Sequence, residues 1–153
     1  MKNIFIGASL MLIFFYGNSQ GKRIKHVTDT LTNLACPLQN GIMKSPSQEG
    51  YGYKGDVKMV VTSVTDTLLL SPVDGKIDLI SPGEGGKYEV VMHHNDYNIW
   101  LTGVSKVLVK KNDELKKGQP LGKVKPGDEI ELLLFNDEEP VDPKKYLDCK
   151  TNK

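Results

Sequence analysis

The chain has 153 residues, 39% hydrophobic and 25% charged, with a formal net charge of +1, which is the composition of one ordinary globular domain. A balance this close to neutral gives no overall field that would recruit nucleic acid or an anionic membrane. Fifteen glycines and eight prolines are spread along the sequence, which suits many turns and short strands, and no repeat of solenoid length is visible.

Met1–Ser19 differs from everything after it. Lys2 supplies a positive start, and Gly17, Asn18 and Ser19 place small residues where a signal peptidase would cut. Ile4–Tyr16 between them is an apolar run of roughly 13 residues, short of the roughly 20 that a membrane span needs. We read Met1–Ser19 as a signal peptide, with an uncleaved N-terminal anchor as the alternative. No cysteine stands near the cleavage point to carry a lipid. The expected mature chain starts near Gln20 and is exported, to a periplasm or to the outside.

Export gives meaning to the two cysteines, Cys36 near the start of the mature chain and Cys149 near its end. In an oxidising compartment such a pair suits a disulfide; two unpaired thiols are the alternative. Neither cysteine has a second Cys or His at zinc-ligand spacing.

Gln20–Ala35 is polar and mixed and reads as a flexible lead-in. Cys36–Gly55, rich in Pro, Gly, Ser and Gln, reads as a long loop, so regular structure is expected from about Asp56. Short strands are then predicted at Val57–Val61, Leu68–Leu70, Ile77–Ile80, Tyr88–Met92 and Ile99–Leu101. Val107–Val109, Leu121–Val124 and Ile130–Phe135 complete the series. Turn signals separate them: Pro72–Gly75, Pro82–Gly86, Asn95-Asp96, Asn112-Asp113 and Gly118. Regularly spaced short strands predict an all-β antiparallel sandwich or barrel over residues 36–149. A single short helix is expected after Asp142, which would cap it with Pro143 at its first position, and residues 150–153 form a tail.

Five stations in order resemble the lysostaphin-type (LytM) zinc endopeptidase domain, built on a duplicated hybrid motif. They are Pro37–Ile42, Leu69–Ile77 with Asp74-Gly75, Val91–His93 followed by Asp96-Tyr97, Val107–Val124 with Gly118-Gln119, and Val141–Pro143 with Tyr146-Leu147. That family cuts peptide cross-links in bacterial cell walls, using zinc held by two histidines and an aspartate. The resemblance implies the same fold from about Pro37 to Leu147. It does not carry over the chemistry. On the alignment drawn from the motifs, Tyr53 and Val57 stand at the first two ligand positions and Leu134 at the third. Gly103 and Leu132 replace the two histidines that assist the bound water. None of these side chains is a standard zinc ligand.

Other residues do not rebuild a site. His93 and His94 are adjacent, so in a strand they point to opposite faces. Asp137–Glu139 reads as a solvated acidic loop, and the Lys110-Lys111 and Lys116-Lys117 doublets as charged edges that discourage strand pairing. No cofactor is expected. The resemblance therefore implies a pseudo-peptidase: a binding or regulatory module at the bacterial envelope, with peptidoglycan or an envelope protein such as a cell-wall amidase as partner. The candidate groove comprises Tyr53, Val57, Gly103, Leu132 and Leu134, with Trp100 near its rim; equally, the leucines extend the core. The alternatives are an active zinc endopeptidase with unconventional ligands, a lipoyl- or biotinyl-like carrier, and an envelope assembly subunit without wall contact.

Overall fold

The computed structural model describes residues 31–44 and 58–151. The expected signal peptide, most of the lead-in and the candidate groove positions Tyr53 and Val57 lie outside those residues. The strands, in chain order, are β1 (Leu34–Ala35), β2 (Ile42–Lys44), β3 (Met59–Thr62), β4 (Leu68–Leu70), β5 (Gly75–Pro82), β6 (Tyr88–His94) and β7 (Tyr97–Val104). They continue with β8 (Lys106–Val107), β9 (Glu114–Leu115), β10 (Pro120–Lys123), β11 (Glu129–Asn136), β12 (Glu139–Val141), β13 (Leu147–Asp148) and β14 (Lys150–Thr151).

The large sheet runs β14-β2-β3-β11-β7-β6-β5-β9, with β12 added to β11 as a hairpin. A three-stranded sheet, β4-β10-β8, packs against it. Leu69, Val73, Leu121 and Val124 from the region of the small sheet meet Met59, Val61, Ile77, Met92, Ile99, Leu101, Ile130, Leu132 and Leu134 from the large one in a single buried cluster. The expected all-β sandwich is thus the observed architecture, and alternation explains it: every second residue of β7 (Tyr97, Ile99, Leu101) faces this cluster.

The turns are made by the residues that signalled them. Asn95 (φ 52°) joins β6 to β7, and Asn112 (φ 74°) and Gly118 (φ 83°) turn the chain between β8 and β10. Asp113 and Gln119 fasten those turns by accepting from the Lys110 and Lys116 N–H groups, at 2.8 Å each. The predicted C-terminal helix is a single 3-10 turn, Pro143–Lys145, and the Asp142 carboxylate caps it by accepting from Lys144 N–H at 3.0 Å.

Regular structure starts earlier than expected. β1 pairs in parallel with β13 and β2 in parallel with β14, while β2 also pairs antiparallel with β3; Leu31 and Leu34, from the supposed lead-in, are buried in the core. Strands of two or three residues have too few positions to show a period in the sequence, and their partners come from the far end of the chain. Cys36 and Cys149 are joined in a disulfide beside these pairings, leaving no free cysteine.

Candidate functional site

The site is the face of the large sheet turned away from the core, and strand register defines it. Leu79, Val91, Trp100 and Leu133 lie opposite one another across β5, β6, β7 and β11. Phe135, two residues beyond Leu133, meets the Trp100 ring edge-on with centroids 6.1 Å apart. Together they form an apolar strip, and Trp100 is its half-buried anchor.

Next to the strip the face becomes polar. Glu131 lies opposite Thr102 on one side and Val60 on the other. Its carboxylate accepts from Lys58 Nζ at 2.6 Å and from Thr102 Oγ1 at 3.4 Å. Glu129 accepts from Lys44 Nζ at 2.7 Å. A cavity of about 220 Å³ opens here, lined by Lys87, Glu89, Thr102, Gly103, Glu129 and Glu131 among others. Gly103 adopts φ 88°, and a Cβ at this position would run into the Glu129 carbonyl oxygen. Glycine is required where β7 passes so close to β11.

At the rim of the cavity Asp128 accepts from Lys125 N–H at 3.0 Å and Ser105 Oγ at 3.1 Å, and pairs with Lys87 at 3.1 Å. Burial alone would raise this carboxyl; the hydrogen bonds from Lys125, Lys87 and Ser105 and the Lys87 charge outweigh it and hold it below the ordinary aspartate value. Asp74 is lowered too, by the Lys117 N–H and then by Lys116, but it fastens a turn on the opposite edge of β5.

Of the sequence-predicted groove residues, Trp100 and Gly103 lie on this face and at its cavity. Leu132 and Leu134 do not: both are essentially fully buried within the core, so for them the core reading replaces the groove reading. The reason is phase. Three consecutive leucines carry no alternation, and the register with Leu101 and Ile99 turns Leu132 and Leu134 inward. The outward positions of β11 are instead Glu129, Glu131, Leu133 and Phe135. Sequence reasoning missed Glu129 and Glu131, although Glu-Ile-Glu-Leu at the head of the strand alternates cleanly. The two histidines do face opposite ways: His93 Nδ1 lies 3.1 Å from Asn98 Oδ1, and His94 Nδ1 lies 2.6 Å from the Asp74 carbonyl. Among the described residues, no three His, Cys, Asp or Glu side chains are grouped so as to hold a metal ion.

Neither a protein-family model nor a curated protein matches the sequence. Solved structures do. Helicobacter pylori Csd3 is similar at 22% identity over 76% of this chain, with a TM-score of 0.62. Lysostaphin is similar at 20% identity over 73% of this chain and 52% of its own, with a TM-score of 0.56. This chain has the lysostaphin-type fold. The fold also occurs outside lysostaphin: a chain of the SpoIIIAH–SpoIIQ complex is similar at 17% identity over 74% of this chain and 99% of its own, with a TM-score of 0.59. This lysostaphin-type domain spans 33% of the length of Csd3. Its strands match the scaffold, while its outward face carries lysine–carboxylate pairs and an aromatic strip.

Proposed function

We propose that this chain is an exported, non-catalytic lysostaphin-type domain that acts as a binding or regulatory module at the bacterial cell envelope. One observation carries the reading. The outward face of the large sheet presents Trp100 and Phe135 beside two carboxylates, Glu129 and Glu131, that lysines engage, and so offers an aromatic platform. Half-exposed aromatic side chains bury much area at little entropic cost when a partner seats on them. The disulfide suits an oxidising compartment, and no helix among the described residues is long and apolar enough to cross a membrane. Peptidoglycan, or an envelope protein that works on it, is the partner this reading names.

The test is co-sedimentation of the purified protein with isolated sacculi, alongside a Trp100→Ala variant. Binding by the wild type that falls at least ten-fold in the variant supports the reading. If the wild type neither sediments with sacculi nor activates a cell-wall amidase, the wall-linked function fails. Stoichiometric zinc together with cleavage of wall peptide would establish the peptidase instead. A second reading, an assembly subunit without wall contact, is favoured by the likeness to a chain of the pore-forming SpoIIQ–SpoIIIAH complex. Capture of a single envelope protein without sacculus binding would select it.

A further inference from the structure

The net charge of +1 hides an uneven distribution, and the small sheet shows it best. In the β4-β10-β8 sheet, Gly122 lies opposite Leu69 and Val107 on the core side. The next row, Leu68, Lys123 and Lys106, is exposed. Two lysines therefore stand directly across from each other, an arrangement that repels and weakens a sheet unless something anionic lies over it. Beyond Lys106 the chain continues to alternate. Val107 and Val109 pack on the core, while Leu108 and Lys110 are exposed.

The outer surface of the small sheet thus carries Lys106, Lys110 and Lys123 interleaved with Leu68 and Leu108, which are 41% and 43% exposed. The lysines that make ion pairs among the described residues are Lys44, Lys58, Lys87 and Lys116. No described carboxylate lies within ion-pair distance of Lys106, Lys110 or Lys123. Unneutralised cations alternating with exposed leucines on one flat face match a surface that is itself anionic outside and apolar just beneath.

We infer that the outer face of the small sheet is a peripheral docking site for an anionic lipid bilayer, with the lysines on the headgroup phosphates and Leu68 and Leu108 at the acyl boundary. Charge complementarity chooses the occupant. A soluble anionic polymer would use the lysines and leave both leucines in water, whereas a bilayer engages all five side chains. The core separates this face from the Trp100 face, so a domain held by the small sheet presents Trp100 away from the membrane. The inference stands independently of the wall-binding reading, because it uses a different surface and different residues.

The experiment is co-sedimentation of the full chain with vesicles of phosphatidylglycerol and phosphatidylethanolamine, and with phosphatidylcholine vesicles as the neutral control. The variants are Lys106→Glu with Lys123→Glu, and separately Leu68→Ser with Leu108→Ser. Any contribution of the apolar Ile4–Tyr16 run is common to every variant and also appears on the neutral vesicles. Near an anionic surface each lysine contributes about five-fold to binding, so the double lysine variant should lose at least about 25-fold on anionic vesicles. Wild-type binding should also fall as salt rises, and the leucine variant should bind anionic vesicles more weakly while keeping its melting temperature. Equal wild-type binding to both vesicle types, or full binding by the lysine variant, would overturn the inference. So would binding to soluble polyphosphate with none to vesicles, or an unchanged affinity in the leucine variant.

Discussion

Replacing both cysteines by alanine should destabilise this domain strongly, and the size of the effect follows from the loop they close. Cys36 and Cys149 close a loop with a sequence separation of 113. The chain-entropy relation gives about 16 cal/mol/K for a loop of this length, or about 4.8 kcal/mol at 25 °C. Domains of this size are stable by about 5–15 kcal/mol in total, so losing the cross-link removes a third of that or more. The native contacts around the bridge remain: β1 still has β13, β2 still has β14, and Leu34 N–H still donates to the Tyr146 carbonyl at 2.8 Å. These pairings must then gather two distant chain ends without help. Urea titration of the double alanine variant against wild type is the assay. With a slope of about 2 kcal/mol/M the midpoint should fall by roughly 2.4 M, and the slope itself should rise because the unfolded chain is no longer looped. Hydrogen exchange should quicken most at residues 147–151. A loss below about 1 kcal/mol with an unchanged slope would refute the loop-closure argument, because the unfolded ends would then be held together by something other than the disulfide.

Four other substitutions separate core from surface. Leu132→Ala should cost about 2–5 kcal/mol in urea titration, as a fully buried leucine does, while partner binding per folded molecule is unchanged; Trp100→Ala should reverse that pattern. Gly103→Ala should destabilise by at least about 1–2 kcal/mol from its left-handed backbone alone, with more from the contact with the Glu129 carbonyl, read as a lowered melting temperature. Asp128→Asn should cost about 1–2 kcal/mol near neutral pH by weakening its three hydrogen bonds. Because the folded carboxyl is held below its ordinary value of 3.8, that contribution is present above the unfolded value and disappears as pH falls through the folded one. The wild-type and variant stability curves should therefore converge only below about pH 3.8, and convergence near neutrality would rule the account out.

Most of the fold was legible because two signals agreed. Alternation placed the strands, and Asn95, Asn112 and Gly118 take up the positive φ values that their residue types suggest. What escaped was either short or unphased. β1 and β2 draw their partners from the last residues of the domain, a pairing without local trace. The run Leu132–Leu134 read as a strand, but its phase depended on Glu129 and Glu131 upstream and on the register with β7. Motif order alone left Leu132 and Leu134 open between groove and core, and the register decides for the core. The site suffered more than the fold, because a one-residue error in phase leaves a strand in place and exchanges every side chain between core and surface.

The same alternation separates what holds the sheet together from what it presents to solvent. On β11 the inward residues Ile130, Leu132 and Leu134 hold the sheet to the core, and the outward residues Glu129, Glu131, Leu133 and Phe135 contribute little to that cluster. Substitution of the outward set leaves the packing of the inward set intact, so selection can rewrite one without unfolding the other. A carboxylate left alone on such a half-buried face would be costly to desolvate. Here Glu131, only a quarter exposed, is matched by Lys58, itself 13% exposed. An ion pair that is mostly withdrawn from water therefore occupies this part of the outward face. Removing Lys58 would leave the half-buried Glu131 carboxylate with the Thr102 hydroxyl at 3.4 Å but without its lysine, and that change should cost stability.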